Sequence, residues 1–262
     1  MASTLGACHF YWMLIFTTQQ IIKLINEARW KLFQRKISAQ EVQFLEEHFF
    51  YFNRLQPQYK EEFLLKVRDI LTRKRIIPRG NMQRISPELE VLIGATITMV
   101  TFGWNSLRLN HFHTILVYPD EYYSQINETY HRGEVNPRYG LIILSLKPFL
   151  EGFIDPTDGV NLGIHEIAHA LKLAHFIHSD EEKEFSPQAW ETYKKWVPEE
   201  ITKIRQGLPT IFRERGGVDE HEFFAVAVET FFEKSQEFKV YNPKLYQTMV
   251  YLLKQDPLVL LS

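Results

Sequence analysis

Cysteine is almost absent from this chain: there is one, Cys8, in 262 residues. No internal disulfide framework can form, which fits a reducing compartment. Excess charge of either sign is missing too. The 30 Lys and Arg nearly balance the 32 Asp and Glu, leaving a formal net charge of −2. No global field therefore draws the protein to nucleic acid or to an anionic membrane. The one basic run, TRKRIIPRG at 72–80, reads as a solvated helix end, and direct nucleic-acid binding is not expected. Internal repeats and low-complexity tracts are lacking, which excludes solenoids and disordered linkers. No apolar run reaches the roughly 18 residues that mark a membrane-spanning helix.

The N-terminus comes nearest to such a run. Leu5–Phe16 is nearly all apolar, but it is only 12 residues long. Beyond TTQQ, Phe10, Leu14, Ile21, Ile25, Ala28 and Leu32 share one helical stripe, with Lys23, Arg29, Lys31, Arg35 and Lys36 around it. Residues 1–38 are expected to form an apolar and basic helix. It either docks on the domain or a partner, or lies at a membrane surface with its basic end in the cytoplasm. A cleaved signal is the third reading, although a basic start is missing.

With 45% hydrophobic residues the chain reads as an ordinary globular protein, and 39–262 is expected to form its main domain. Residues 39–77 show apolar spacing of three and four, which predicts two helices broken at Gln56-Pro57. A third helix is expected over Pro87–Phe102, with Ser86 as its cap and Pro87 in the first position. HTILVYP at 113–119 and YGLIILSL at 139–146 read as strands, and 120–138 as polar turns. Helices resume thereafter, with breaks expected near Pro187, Pro198, Gly207–Pro209, Gly216-Gly217 and Pro243. The fold class is α+β: mostly helical, with a small sheet.

The chemistry concentrates in GVNLGIHEIAHALKLAHF, 159–176. His165 and His169 are four residues apart, so on a helix both rings leave the same face one turn apart. Two imidazoles so placed can reach one metal ion. Glu166 lies beside the first ligand, where its carboxylate can take a proton from a metal-activated water and hand it to a leaving amine. This is the pattern of metal-assisted peptide hydrolysis. The other helix positions are apolar, so the helix is expected to be buried.

A third ligand is needed. His175 completes a local triad of metzincin spacing, but Lys172 stands where a glycine would stop and turn the helix. Without that break the helix is expected to carry His175 to another face. The other candidate is DEHEFFAVAVETFFE, 219–233, where Glu222 and Glu229 are seven apart on an otherwise apolar helix. That pair suggests one metal ligand and one supporting group.

HEIAH, followed by HEFFAVAVETFFEKSQEFKVYNPKLYQTMVYLLKQDPL, resembles the Mlc titration factor (MtfA) family of zinc-dependent peptidases. ILTRKRIIPRG, HTILVYP, GLIILSL and DGVNLGIHEIAH agree with that family in order and spacing, so the resemblance covers roughly residues 55 to 258. It implies a zincin-type domain, Zn2+ on His165, His169 and Glu222, and Glu166 as general base, which leaves Glu229 as the supporting group of the pair. It further implies an aminopeptidase or small-peptide hydrolase, cytoplasmic, whose namesake binds a transcriptional regulator. Two positions depart from the family. Arg215 occupies the place of a tyrosine suited to stabilising an oxyanion, a task an arginine can also perform. Lys172 replaces an aspartate. Two alternatives stay open: a regulator-binding protein of the same fold with little or no peptidase activity, and an endopeptidase that uses His175.

Overall fold

The computed structural model describes residues 35–105, 109–124, 128–177 and 185–261. The helix expected over 1–38 therefore lies almost wholly outside the described residues. Residues 37–262 form one compact unit.

Helix α1 (Ala39–His48) opens on a capping box: the Ser38 side chain accepts from Glu41 N, while Glu41 bonds back to the Ser38 backbone. The chain then breaks at Phe49 and resumes as α2 (Phe50–Arg54). No glycine or proline marks this break. It lets Phe49 and Phe52 both reach Phe63, with ring centroids 6.3 and 5.4 Å away, so tertiary packing overrides local propensity. Helix α3 (Pro57–Arg73) starts on Pro57 in its first position.

Strand β1 (Arg75–Pro78) follows α3 directly, which corrects the reading of the basic run as a helix end alone. Arg73 closes the helix, paired to Asp69 at 3.0 Å, and RIIP enters the sheet. Helix α4 (Pro87–Thr101) begins as expected, with Ser86 Oγ accepting from Leu89 N. It is buried along nearly its whole length. Its hydroxyls at Thr96, Thr98 and Thr101 each bond a carbonyl four residues back at 2.8 Å, so none is left unpaired in the core.

The sheet strands continue with β2 (Thr114–Tyr118), a hairpin of β3 (Tyr122–Ser124) and β4 (Thr129–His131), then β5 (Gly133–Asn136) and β6 (Leu141–Ser145). The main sheet has the order β1-β2-β6-β5. Its first three strands are parallel, and β5 runs antiparallel to β6 at the edge. Ile115, Val117, Ile142 and Leu144 face the main core. Leu116 and Ile143 point the other way, into a small cluster with Tyr122 of the hairpin. This is the alternation a sheet covered on both faces requires.

Helix α5 (Leu146–Glu151) leads to the central helix α6 (Leu162–Ile177). Then come α7 (Pro187–Arg205), a 3-10 turn at Glu214–Gly217, α8 (Glu220–Glu233), α9 (Ser235–Tyr241), α10 (Pro243–Leu253) and α11 (Pro257–Leu260). Pro198 does not end α7, contrary to expectation. Trp190, Tyr193, Val197 and Ile201 are buried on one face on both sides of it. Packing therefore carries the helix past the lost backbone bond. Helix α6 packs against α8, α4, β5 and β6. It also approaches α5 closely because Gly163 has no Cβ; one would lie 2.7 Å from the Phe149 ring. The α+β reading, mostly helical with a small sheet, holds. No helix among the described residues is long and apolar enough to cross a membrane.

Candidate metal centre

Helices α6 and α8 run antiparallel and are stitched at three levels. At one end, Asn161 Oδ1 accepts from Ile164 N at 3.1 Å and so caps α6, while its Nδ2 donates to Glu233 Oε1 at 3.1 Å. At the other, Lys172 is buried and donates to the Glu220 carbonyl at 2.7 Å, with the Trp190 and Phe224 rings about it. Burial pulls this ammonium down to about 8. Between these ties lie the residues the sequence singled out.

His165 and His169 meet edge to face with ring centroids 4.6 Å apart, and their Nε2 atoms are 3.1 Å apart. Glu222 comes across from the first turn of α8. Asp219 caps that turn, with Oδ1 accepting from His221 N at 2.7 Å and Glu222 N at 2.9 Å. Glu222 Oε2 is 3.2 Å from His165 Nε2, and Oε1 is 3.7 Å from His169 Nε2. One donor atom from each of His165, His169 and Glu222 lies within 4.8 Å of the others. Glu222 Oε2 is also 2.7 Å from Arg215 Nε, yet it is buried with no partner in hydrogen-bond geometry. Two imidazole nitrogens and a carboxylate oxygen brought this close form a donor set that suits a divalent transition metal.

Left to protons alone, these groups divide one positive charge unequally. Burial disfavours the His165 cation, but Glu222, Glu229 and Glu166 outweigh it and hold the ring up at about 9. His169 is pushed down to about 3 by burial and then by the His165 charge. Burial would raise Glu222, but His165 and Arg215 hold it down at about 2. Glu166, 5% exposed, is lifted to about 7, by burial first. A proton on His165 thus occupies the position between donors that a cation would take.

Glu166 points beside the donors, toward β5. A Cβ on Gly133 would lie 2.5 Å from its Oε1, so only glycine leaves room for the carboxylate there. Strand β5 has one edge on β6, and its other edge has no strand partner among the described residues. The neighbouring β6 is paired on both sides. The strand read at 139–146 therefore offers no free edge, and the edge strand beside the centre is 133–136. A cleft of about 480 Å³ opens here, lined among others by Tyr130, Gly133, Val160, His165, Glu166 and Arg215.

Glu229 is fully buried behind the first histidine, with Oε1 3.2 Å from His165 Nδ1. Arg215 is half exposed and joins Glu222 through Nε and Nη2, the latter donating to Oε1 at 3.1 Å. His175 stands apart from this cluster. Helix α6 runs two residues past it, its ring packs on Phe185 and Trp190 at 4.7 and 5.4 Å, and Nδ1 accepts from Phe185 N at 3.4 Å. Sequence reasoning missed Arg213. Its Nε and Nη2 bond the two Glu229 oxygens at 2.9 Å each, and Nη2 is also 3.2 Å from His165 Nδ1. Nothing in FRERGG distinguishes it from Arg215, because its partners are remote in sequence.

Glu233 extends the line of carboxylates along α8. Burial, then the Glu229 and Asp158 charges, raise it to about 8 against the donation from Asn161. Below pH ~4.5 it is protonated in both the folded and unfolded chain and contributes no pH dependence. As pH rises toward 8 the unfolded chain releases the proton and the fold retains it, so stability falls; above about 8 the loss levels off. Glu233→Gln should therefore match the parent near pH 4 and exceed it by roughly 2–4 kcal/mol at pH 8. Urea melts at the two pH values measure this; an equal gain at both would contradict the assignment.

A family model described as glucose-regulated metallo-peptidase M90 matches residues 23–253. An uncharacterized protein of Synechocystis sp. is 26% identical over 244 residues, which cover 87% of this chain and 88% of that protein. Mlc titration factor A of Yersinia enterocolitica is 21% identical over 224 residues, covering 79% of this chain and 83% of its own length.

Proposed function

Because the chain belongs to the glucose-regulated metallo-peptidase M90 family, we propose that it hydrolyses peptide bonds at a zinc centre held by His165, His169 and Glu222. The observation that carries this reading is the convergence of those three donors beside the cleft. Bound there, Zn2+ would supply Lewis acidity to the scissile carbonyl and to the attacking water.

The chain's own residues account for the rest. Glu166 accepts the proton of the attacking water and delivers it to the leaving amine. Glu229 orients His165 from behind. Arg215, half exposed at the cleft and next to Glu222, is the cation available to the oxygen charge that develops in the transition state. The substrate backbone adds along the open edge of β5 in extended form, passing Gly133 and hence Glu166. A cleft of about 480 Å³ has room for a few residues of peptide, in keeping with the aminopeptidase or small-peptide hydrolase that the family resemblance implies. One cysteine in the whole chain agrees with a cytoplasmic location.

The test is hydrolysis of short peptides, with free or blocked N-termini, by purified protein before chelation, after it, and after zinc is restored. Cleavage should vanish with the chelator and return with zinc. A requirement for a free N-terminus identifies the aminopeptidase. No metal-dependent cleavage in either peptide set would overturn the proposal. The relative named Mlc titration factor A supports a second reading, in which the domain holds a transcriptional regulator. Capture of such a partner would then survive Glu166→Gln.

A further inference from the structure

The buried triad of Arg213, Glu229 and His165 carries more than the packing of a salt bridge. Imidazole has one proton to place when neutral, and ligation through Nε2 requires that proton on Nδ1. Nδ1 has two close neighbours, both at 3.2 Å: Glu229 Oε1, which as a carboxylate only accepts, and Arg213 Nη2, which only donates. If Nδ1 turned its lone pair to Arg213, the proton would move to Nε2 and the nitrogen facing Glu222 and His169 would cease to be a ligand. The two neighbours thus favour opposite tautomers.

A cation on Nε2 would decide between them, because the proton must then sit on Nδ1, where Glu229 Oε1 is the neighbour able to accept it. Arg213 Nε and Nη2 bond both oxygens of Glu229 at 2.9 Å, a two-pronged contact with fixed planes. One Nη2 hydrogen bonds Glu229 Oε1 and holds that oxygen facing the ring, while the second Nη2 hydrogen stays within reach of Nδ1. Glu229 is fully buried, so without a cation beside it the carboxylate would be costly to keep charged. The position is specific: Arg215, two residues on, reaches Glu222 instead.

We propose that Arg213 is a positioning residue of the metal centre. By clamping Glu229 it holds in place the acceptor that the Nδ1–H tautomer needs, and so keeps Nε2 available for the ion. This rests on the assignment of His165, His169 and Glu222 as the metal ligands.

The experiment compares zinc affinity, by competition with a chromophoric chelator, in the parent, Arg213→Ala and Arg213→Lys. It adds 15N-edited NMR of the His165 Nδ1–H proton in the zinc-loaded proteins. The parent should bind zinc and show a slowly exchanging Nδ1–H. Arg213→Ala should bind zinc about 10–100-fold more weakly, and that proton should broaden or vanish. Arg213→Lys keeps the charge for folding but not the two-pronged geometry, so its metal-free melting temperature should stay near the parent's while its zinc affinity still falls. If Arg213→Ala does not fold, Arg213→Lys decides the matter alone. Parent-like affinity and a protected Nδ1–H in the folded variants would overturn this inference and leave the proposed function standing. Failure of the parent to bind zinc would overturn both.

Discussion

Glu166→Gln should lose peptide hydrolysis by a factor of about 10²–10⁴, the range a general base contributes, and should keep its zinc. The two effects separate because Glu166 is not one of the three converging donors. The amide has nearly the same shape as the carboxylate, so it fills the same space against Gly133 and leaves α6 undisturbed. What it lacks is a site for the proton. Metal analysis of the purified variant, with kcat/KM on the best peptide found for the parent, provides both readings. Full activity would remove Glu166 from the mechanism. Lost metal would mean that it helps to build the centre instead. Gly133→Ala approaches the same point from the other side, since the added methyl would meet Oε1 at 2.5 Å and force the carboxylate to shift.

The second large effect concerns the third ligand. Glu222→Ala should weaken zinc binding by more than two orders of magnitude, because even groups that merely support a ligand are worth 10–100-fold. His175→Ala should leave zinc affinity unchanged. It should instead lower stability by roughly 1–3 kcal/mol, because the ring packs against the stacked Phe185 and Trp190. Zinc titration and thermal melts of the two variants give opposite patterns for the two candidate triads. Metal lost in His175→Ala and kept in Glu222→Ala would restore the local, metzincin-type site.

What could be read from the sequence depended on how far apart the informative residues lay. His165, Glu166 and His169 fall within five residues, and helix geometry alone puts the two rings on one face. Glu222 and Glu229 were visible for the same reason, as a seven-residue pair among phenylalanines and valines. Arg213 was not, because its meaning comes from Glu229 and His165, both remote along the chain. The strands β1 and β5 escaped for a related reason. Each has four residues, too few to show a period, and each is defined by partners elsewhere. The break at Phe49 has no breaker residue; only its aromatic neighbours account for it. Pro198 is the converse, a breaker overridden by the buried face of α7.

The separation of the donors has a further consequence. Two of them belong to one turn of α6 and are in register as soon as that helix forms, whereas Glu222 arrives only when α8 docks. An ion bound by all three would close a long loop, and closing such a loop restricts the unfolded chain in the way a disulfide does. In a chain with one cysteine, the metal would be its reversible cross-link. The pair of histidines would then be its anchor, and Glu222 its latch.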